Sequence, residues 1–394
     1  MTLPNWSAIL DSPGPGKPPY QNLSNAVRVL QHDPQWTAAH LWYDEFADRV
    51  MGAFSSPREW RDEDDVALTV YIQETTGLDR VPKTLVRDAV TYVARQRSRH
   101  PVRAWLQSLT WDQIDRLELA FEDGWGVQCD PTHPADYVRA ASRNFFVSLV
   151  ARVLQPGSKV DTMPVFEGPE GLQKSAALDC LGGAWYAAID QSVETKDFLQ
   201  ALRGKWLIEI AELQAFTRAD QTHVKSMLSR RIDTYRPSYG SRTIDVPRQC
   251  VFAGTANQDD WSRSDTGDRR FWPVPCGPVA LDLIADRRDQ WFAEALARYT
   301  AGATWWQMPG TTTQVQADRL PDHAWTLPIL EGLLFQAETT MIDVLTRILG
   351  IDKADITRQA ELTVGSILRR AGWVNKPARR NGILRRIWIA PPTP

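Results

Sequence analysis

The chain has 394 residues, 43% of them apolar, and its 45 basic side chains nearly balance 48 acidic ones. That length holds two or three domains and that apolar fraction a sizeable core. The even charge balance leaves only local clusters to speak for partners. Cys129, Cys180, Cys250 and Cys276 are scattered with no C-x-x-C pair, and Cys129 with His133 has no second pair to complete it. Neither a disulfide framework nor a structural zinc is indicated. The N-terminus lacks a charged-then-apolar leader, and the longest apolar run, 145–154, is short and contains Arg152. No membrane span is expected, and the default compartment is the cytoplasm.

In chain order, residues 12–19 read Ser-Pro-Gly-Pro-Gly-Lys-Pro-Pro, so 1–20 is expected to be a flexible tail. A helical N-terminal region follows over 21–157. There Leu85, Val86, Ala89, Val90, Val93 and Ala94 share one helical face, with Thr84 placed to cap it. Trp105, Leu106, Leu109 and Trp111 continue the apolar signal, and 137–154 reads as an amphipathic helix with Arg139 and Arg143 near its start.

The character changes near 162. Met163-Pro164-Val165-Phe166, Trp206-Leu207-Ile208 and Val251-Phe252-Ala253 are strand-like and alternate with helical runs. The expectation is an α/β layered domain over 158–307, a linker over 308–326 and a winged-helix-like domain over 327–394. In that last domain a helix over 340–349 precedes a turn at Gly350 and a second helical run ending at Gly372. Two strands, at 373–374 and 383–388, flank a basic loop over 376–382. No internal repeat is present.

Gly168-Pro169-Glu170-Gly171-Leu172-Gln173-Lys174-Ser175 nearly matches G-x-x-x-x-G-K-[ST] between a strand and a helix. Backbone N–H groups from Gly168 to Ala176 would face phosphate oxygens, Lys174 would reach the β- and γ-phosphates of ATP, and Ser175 would bind Mg²⁺. Gln173 replaces the glycine that this tight turn favours. The bland alternative is a chance strand-turn-helix match.

Three further elements stand in the order a P-loop ATPase needs. The strand around Trp206-Leu207-Ile208 carries Glu209, a magnesium holder, and Glu212, a polariser of water, with the two roles exchangeable. Asn257, at the tip of the third strand, suits a sensor of the γ-phosphate. Asp265-Thr266-Gly267-Asp268-Arg269-Arg270 offers an arginine finger, either Arg269 or Arg270, of the kind that serves a neighbouring subunit in a ring. Their bland readings are solvated carboxylates at a strand end, an Asn in a turn, and a salt bridge to Asp265 or Asp268.

From His100 to Met308 the ordered runs resemble the virulence-associated protein E family. They include His100-Pro101, Trp105-Leu106, Val150-Ala151-Arg152-Val153, Lys159-Val160-Asp161, Arg203-Gly204-Lys205-Trp206 and Glu209-Ile210-Ala211-Glu212. Further runs are Ser229-Arg230-Arg231-Ile232-Asp233, Tyr235-Arg236-Pro237 and Thr266-Gly267-Asp268-Arg269-Arg270-Phe271-Trp272-Pro273. The resemblance implies a mobile-element P-loop ATPase similar to superfamily 3 helicases. It would act on single-stranded or forked DNA as a homo-oligomeric ring, with six subunits expected. The stretch before His100 is too short for a polymerase-type primase, which implies a separate one. Such helicases place a basic, pore-facing hairpin between the acidic strand and the sensor. That assigns DNA contact to Lys225, Arg230, Arg231 and Arg236, with Tyr235 and Tyr239 to stack on bases.

Residues 357–389 hold eight basic side chains and one acidic, a local charge of +7. Arg369, Arg370, Lys376, Arg379 and Arg380 are therefore candidate phosphate contacts of the wing. The alternative is a wing that docks protein. The favoured function is ATP-dependent DNA translocation or unwinding. A DNA-binding ATP switch without unwinding is the second reading, and a P-loop domain without turnover the third.

Overall fold

A computed structural model gives the fold, with residues 4–53, 55–189, 196–236, 243–257, 269–317, 324–380 and 383–391 described. The N-terminal unit packs helices Leu23–His32, Asp62–Thr75 and Lys83–Gln96 with a sheet of four short strands. These are β1 (Leu41–Asp44), β2 (Arg49–Ala53), β3 (Pro57–Glu59) and β4 (Ser98–Arg99), in the order β3-β2-β1-β4. Its core gathers Val29, Leu30, Leu41, Ile72, Val86, Val90 and Val93, so the helical face read from the sequence is the buried one. The helix starts at Lys83 with Pro82 as N-cap, which puts Thr84 inside the first turn, where it caps nothing.

Two expectations fail here. The described part of 1–20 is no loose tail, because Trp6 and Leu10 are buried in that core. The Asn25 amide also clasps the segment, donating to the carbonyls of Asp11 at 2.9 Å and Tyr20 at 2.8 Å. Prolines forbid regular structure in such a stretch without preventing two apolar anchors from docking. The region 21–157 is also no single helical unit. Helix Ala135–Leu154 is buried on nearly all sides rather than amphipathic, and shares one apolar core with the larger sheet. A helix apolar all round is a core helix, which moves the boundary between the first two cores back to about residue 100.

The larger sheet contains β5 (Met163–Glu167), β6 (Tyr186–Ile189), β7 (Leu207–Ile210), β10 (Val251–Ala256) and β11 (Phe271–Pro275). Their order is β11-β5-β10-β7-β6, and every pairing is parallel. The three inner strands are those expected from apolar runs. The edge strand β11 contains Pro273 and Pro275, which an edge tolerates because a proline cannot donate to a second neighbour. In a parallel sheet with this order, the C-terminal tips of β5, β10 and β7 lie side by side, where ligands of open α/β sheets collect.

Between β7 and β10 the chain makes helix Arg218–Ser229 and then a hairpin of β8 (Ile232–Tyr235) and β9 (Ile244–Pro247). A buried ion pair holds its base: Arg248 donates to Asp233 through Nε at 2.9 Å and again through Nη2. The C-terminal unit has helices Thr326–Gly332, Met341–Asp343 and Arg358–Arg370, the second continuing as a π-helix over Val344–Ile348. They pack on a sheet of β12 (Glu338–Thr339), β13 (Val374–Arg380) and β14 (Ile383–Ile389), ordered β12-β14-β13. The expected loop over 376–382 is mostly strand, since β13 runs on to Arg380, which pairs with Ile383. Among the described residues no helix is long and apolar enough to cross a membrane.

Candidate functional site at the strand tips

After Glu167 the chain leaves β5 through Gly168 (φ 144°) and Gly171 (φ 87°), conformations that side chains resist. It enters helix Lys174–Gly182 through Gln173, held left-handed at φ 63°. The glycine-favouring position therefore keeps its left-handed geometry with a glutamine in it, at a cost of about 1 kcal/mol. Gly168 N–H donates to the Ala256 carbonyl at 3.2 Å, tying this loop to the tip of β10.

Lys174 lies at the start of the helix and is buried. Its ammonium donates to the carbonyls of Gly168 at 2.6 Å and Pro169 at 2.9 Å, and to Asn257 Oδ1 at 3.4 Å. Burial holds its pKa below the usual lysine range. The structure thus brings Lys174 and Asn257 together, as expected from adjacent strand tips.

Glu209, in β7, is 0% exposed and is gripped by three hydroxyls. Ser175 Oγ donates to Oε1 at 2.7 Å, Thr255 Oγ1 donates to the same oxygen at 2.6 Å, and Tyr186 OH donates to Oε2. Burial, with the adjacent Glu209 carboxylate, pushes the Tyr186 phenol far up, so it remains a donor. No local pattern gave a sign that Tyr186 or Thr255 meets Glu209. The register could have: Tyr186 pairs with Leu207 and Ala188 with Glu209, so β6 runs beside the acidic strand. Among the described residues no three acidic, His or Cys side chains cluster as a metal site. The oxygen pair Ser175 and Glu209 is nonetheless the kind of set with which Mg²⁺ is shared between protein and phosphate. Glu212 lies exposed just beyond β7, left-handed at φ 54°.

Arg269 and Arg270 are not brought to this place. They precede β11, which runs parallel to β5 with Phe271 opposite Met163 and Pro275 opposite Glu167. The pair therefore sits where the strands begin, a strand length of roughly 16 Å from the loop at their ends. There Arg269 lies 3.8 Å from Asp161, and Arg270 Nε donates to Ser229 Oγ at 3.3 Å. Asp265 and Asp268, the other partners considered, lie outside the described residues.

The basic residues near the hairpin divide. Lys225 Nζ stands 5.9 Å from the centre of the Phe271 ring, Arg236 is exposed, and Arg230 is half-buried. Arg231 holds the fold through Nε to the Gly157 carbonyl at 2.7 Å. Tyr235 is buried, so it cannot stack on bases, and Tyr239 lies outside the described residues. In the C-terminal unit Lys376 is exposed, and the Arg369 guanidinium lies 5.8 Å from the centre of the Trp388 ring. Arg370 ends helix Arg358–Arg370, and Arg379 and Arg380 end β13.

Among solved structures, the chain is similar to "The apo structure of NrS-1 C terminal region (305-718)" at 12% identity and a TM-score of 0.47. It is likewise similar to "The A form apo structure of NrS-1 C terminal region-CTR" at 12% identity and a TM-score of 0.49. Each likeness covers 89% of this chain and 96% of that one. None of the curated proteins compared matches. The virulence-associated protein E-like domain matches residues 106–322, over half of the chain and the stretch that holds the larger sheet and all the groups at its strand tips. The chain belongs to the virulence-associated protein E-like family.

Proposed function

We propose that this chain hydrolyses ATP at a P-loop formed by residues 168–175 and couples hydrolysis to movement on DNA in the replication of a mobile element. The observation that carries the reading is Glu209: a fully buried carboxylate whose Oε1 faces Ser175, at the strand tip beside Lys174 and Asn257. Burying a carboxylate is costly unless hydrogen bonds or a cation meet it. Three hydroxyls meet this one.

In this reading backbone N–H groups of the loop and the first turn of its helix bind phosphate oxygens. Lys174 exchanges its loop carbonyl contacts for the β- and γ-phosphates. Ser175 and Glu209 would hold magnesium, which neutralises phosphate charge. Asn257 orients the γ-phosphate or the attacking water, and exposed Glu212 polarises that water. No arginine described at the strand tips supplies the remaining positive charge, so it comes from Arg269 or Arg270 of a neighbouring copy in a ring. Residues 327–391 are read as a winged helix whose hairpin β13–β14 carries phosphate-binding cations, alongside Lys225, Arg230 and Arg236 of the ATPase unit.

Lys174→Ala is expected to abolish hydrolysis while DNA binding persists. Turnover at the unaltered rate in that variant would sink the reading. DNA-stimulated hydrolysis with strand displacement separates a motor from a DNA-binding switch.

A further inference from the structure

The chain leaves β7 at Ile210, and two residues later Glu212 takes a left-handed backbone, φ 54° and ψ 46°. Side chains resist that conformation, so the surroundings must hold it. Leu213 supplies the hold. The reversal at Glu212 drops Leu213 back onto the sheet, where it is fully buried among Met163, Val165, Phe252 and Ala256. The turn is then closed by its own backbone. Ala215 N–H donates to the Glu212 carbonyl at 2.8 Å, and Phe216 N–H donates to the Leu213 carbonyl at 3.1 Å.

The seat for Leu213 is a hollow in β10 at Gly254, which pairs with Ile210 of β7 and Val165 of β5. A Cβ at Gly254 would overlap the Cδ1 methyl of Leu213 and stand 3.1 Å from Cε of Met163. The backbone there is ordinary strand, so what the glycine provides is space. Successive residues of a strand face opposite sides. Gly254 therefore receives Leu213 on one face of β10, while Thr255 holds Glu209 on the other through its hydroxyl at 2.6 Å. One strand thus fixes both acidic residues, Glu209 by a hydrogen bond and Glu212 by the packing of its neighbour. Close-packed interiors transmit such constraints to the residue next in the chain. Glu212 itself is exposed, so the hold reaches it through the backbone and leaves its carboxylate accessible.

We propose that Leu213 and Gly254 are positioning residues for Glu212: the leucine, seated in the hollow at the glycine, holds the strained turn that presents the Glu212 carboxylate to the attacking water. That role rests on the reading of the chain as an ATPase in which Glu212 polarises the water. Leu213 is fully buried and Gly254 has no side chain, so neither reaches nucleotide with a side chain of its own. Both act on turnover through Glu212.

The test uses the full chain with Leu213→Ala, Leu213→Met and Gly254→Ala, each alone and combined with Glu212→Gln, and thermal melting to show that each folds. Turnover is followed by release of radiolabelled phosphate from ATP, and nucleotide affinity by titration of mant-ADP. Leu213→Ala and Gly254→Ala are expected to lower kcat about 10-fold while mant-ADP affinity stays within about 2-fold. Leu213→Met, which keeps the volume, retains most of kcat. In the Glu212→Gln background the same substitutions lower kcat by less than about 2-fold, because the group they position is already gone. A fall of equal size in both backgrounds, or no fall with Glu212 intact, would overturn the assignment. Should Gly254→Ala fail to fold, Leu213→Ala decides alone, since it removes contacts without adding bulk. Undiminished turnover in Glu212→Gln would also overturn it, yet hydrolysis that Lys174→Ala abolishes still upholds the first reading in that event. A wild-type chain that hydrolyses no ATP, by contrast, fails the first reading itself.

Discussion

Ser175 and Glu209 meet at 2.7 Å across two adjoining elements, the hydroxyl at the start of a helix donating to a carboxylate on a buried strand. The contact ties the loop after β5 to β7 through side chains alone, and Tyr186 and Thr255 hold the carboxylate from its remaining sides.

Removing the Tyr186 hydroxyl should loosen Glu209 without deleting its charge. Hydrogen bonds to charged groups contribute about 1.5–3 kcal/mol. Tyr186→Phe is therefore expected to raise the magnesium concentration for half-maximal ATPase several-fold with a smaller fall in kcat, whereas Glu209→Gln costs on the order of 100-fold in kcat. Magnesium titrations at saturating ATP separate the two. An unchanged magnesium requirement in Tyr186→Phe would show that the phenol only fills space.

Gln173 occupies a left-handed position at φ 63°. Gln173→Gly is expected to stabilise the fold by about 0.5–1 kcal/mol while leaving hydrolysis in place. Gln173→Val should destabilise it by about 1–2 kcal/mol, because a β-branched side chain suits this conformation least. Chemical denaturation reads both, and the opposite order would refute the strain assignment.

The N-terminal unit joins the sheet domain at His100, whose ring is neutral by geometry: Nδ1 accepts from Arg103 N–H at 3.1 Å and Nε2 faces Gln249 Oε1 at 2.7 Å. Burial lowers its pKa below the ordinary 6.5. The unfolded chain then binds the proton more readily, so this contribution is complete above about pH 6.5 and is lost as pH falls toward the depressed folded value. Thermal melts from about pH 8 to 5 should decline on the acid side. His100→Asn keeps a helix-capping oxygen and does not titrate, and it should flatten that decline. An identical pH profile in the variant would clear His100 of the effect.

Deleting residues 373–394 removes β13 and β14 with Lys376, Arg379 and Arg380. DNA affinity should drop and its salt dependence should flatten. Unaltered binding, measured by anisotropy at two salt concentrations, would turn this unit into a protein-docking module.

The inner strands of the sheet were legible because β5, β7 and β10 are covered on both faces and read as continuous apolar runs. Lys174, Ser175, Glu209 and Asn257 were legible because each sits at or near the end of one of those runs. The rest was hidden for stated reasons. Strand β11 carries prolines that signal against a strand anywhere except at an edge. The cluster of basic residues over 376–380 reads as a loop, although β13 runs on to Arg380 opposite Ile383. Helix Ala135–Leu154 carries Arg139 and Arg143, which suggest a wet face. Both arginines do stay partly exposed, paired with Glu122 and Glu118 near the helix start, while the rest of the helix is packed nearly all round. Tyr186 and Thr255 became visible only through the parallel register, which no local pattern encodes.

The parallel sheet has one further consequence, for assembly. With Lys174 at one end of its strands and Arg269 and Arg270 at the other, a copy does not serve its own loop with these arginines, so the proposed ring sets the arginine end of one copy against the loop end of the next. In the proposed ring that contact is heterologous, running head to tail. Such a contact has no natural end. It must close by rotation into a cycle or grow into a helical filament, so the twist per copy alone decides between a finite particle and a fibre.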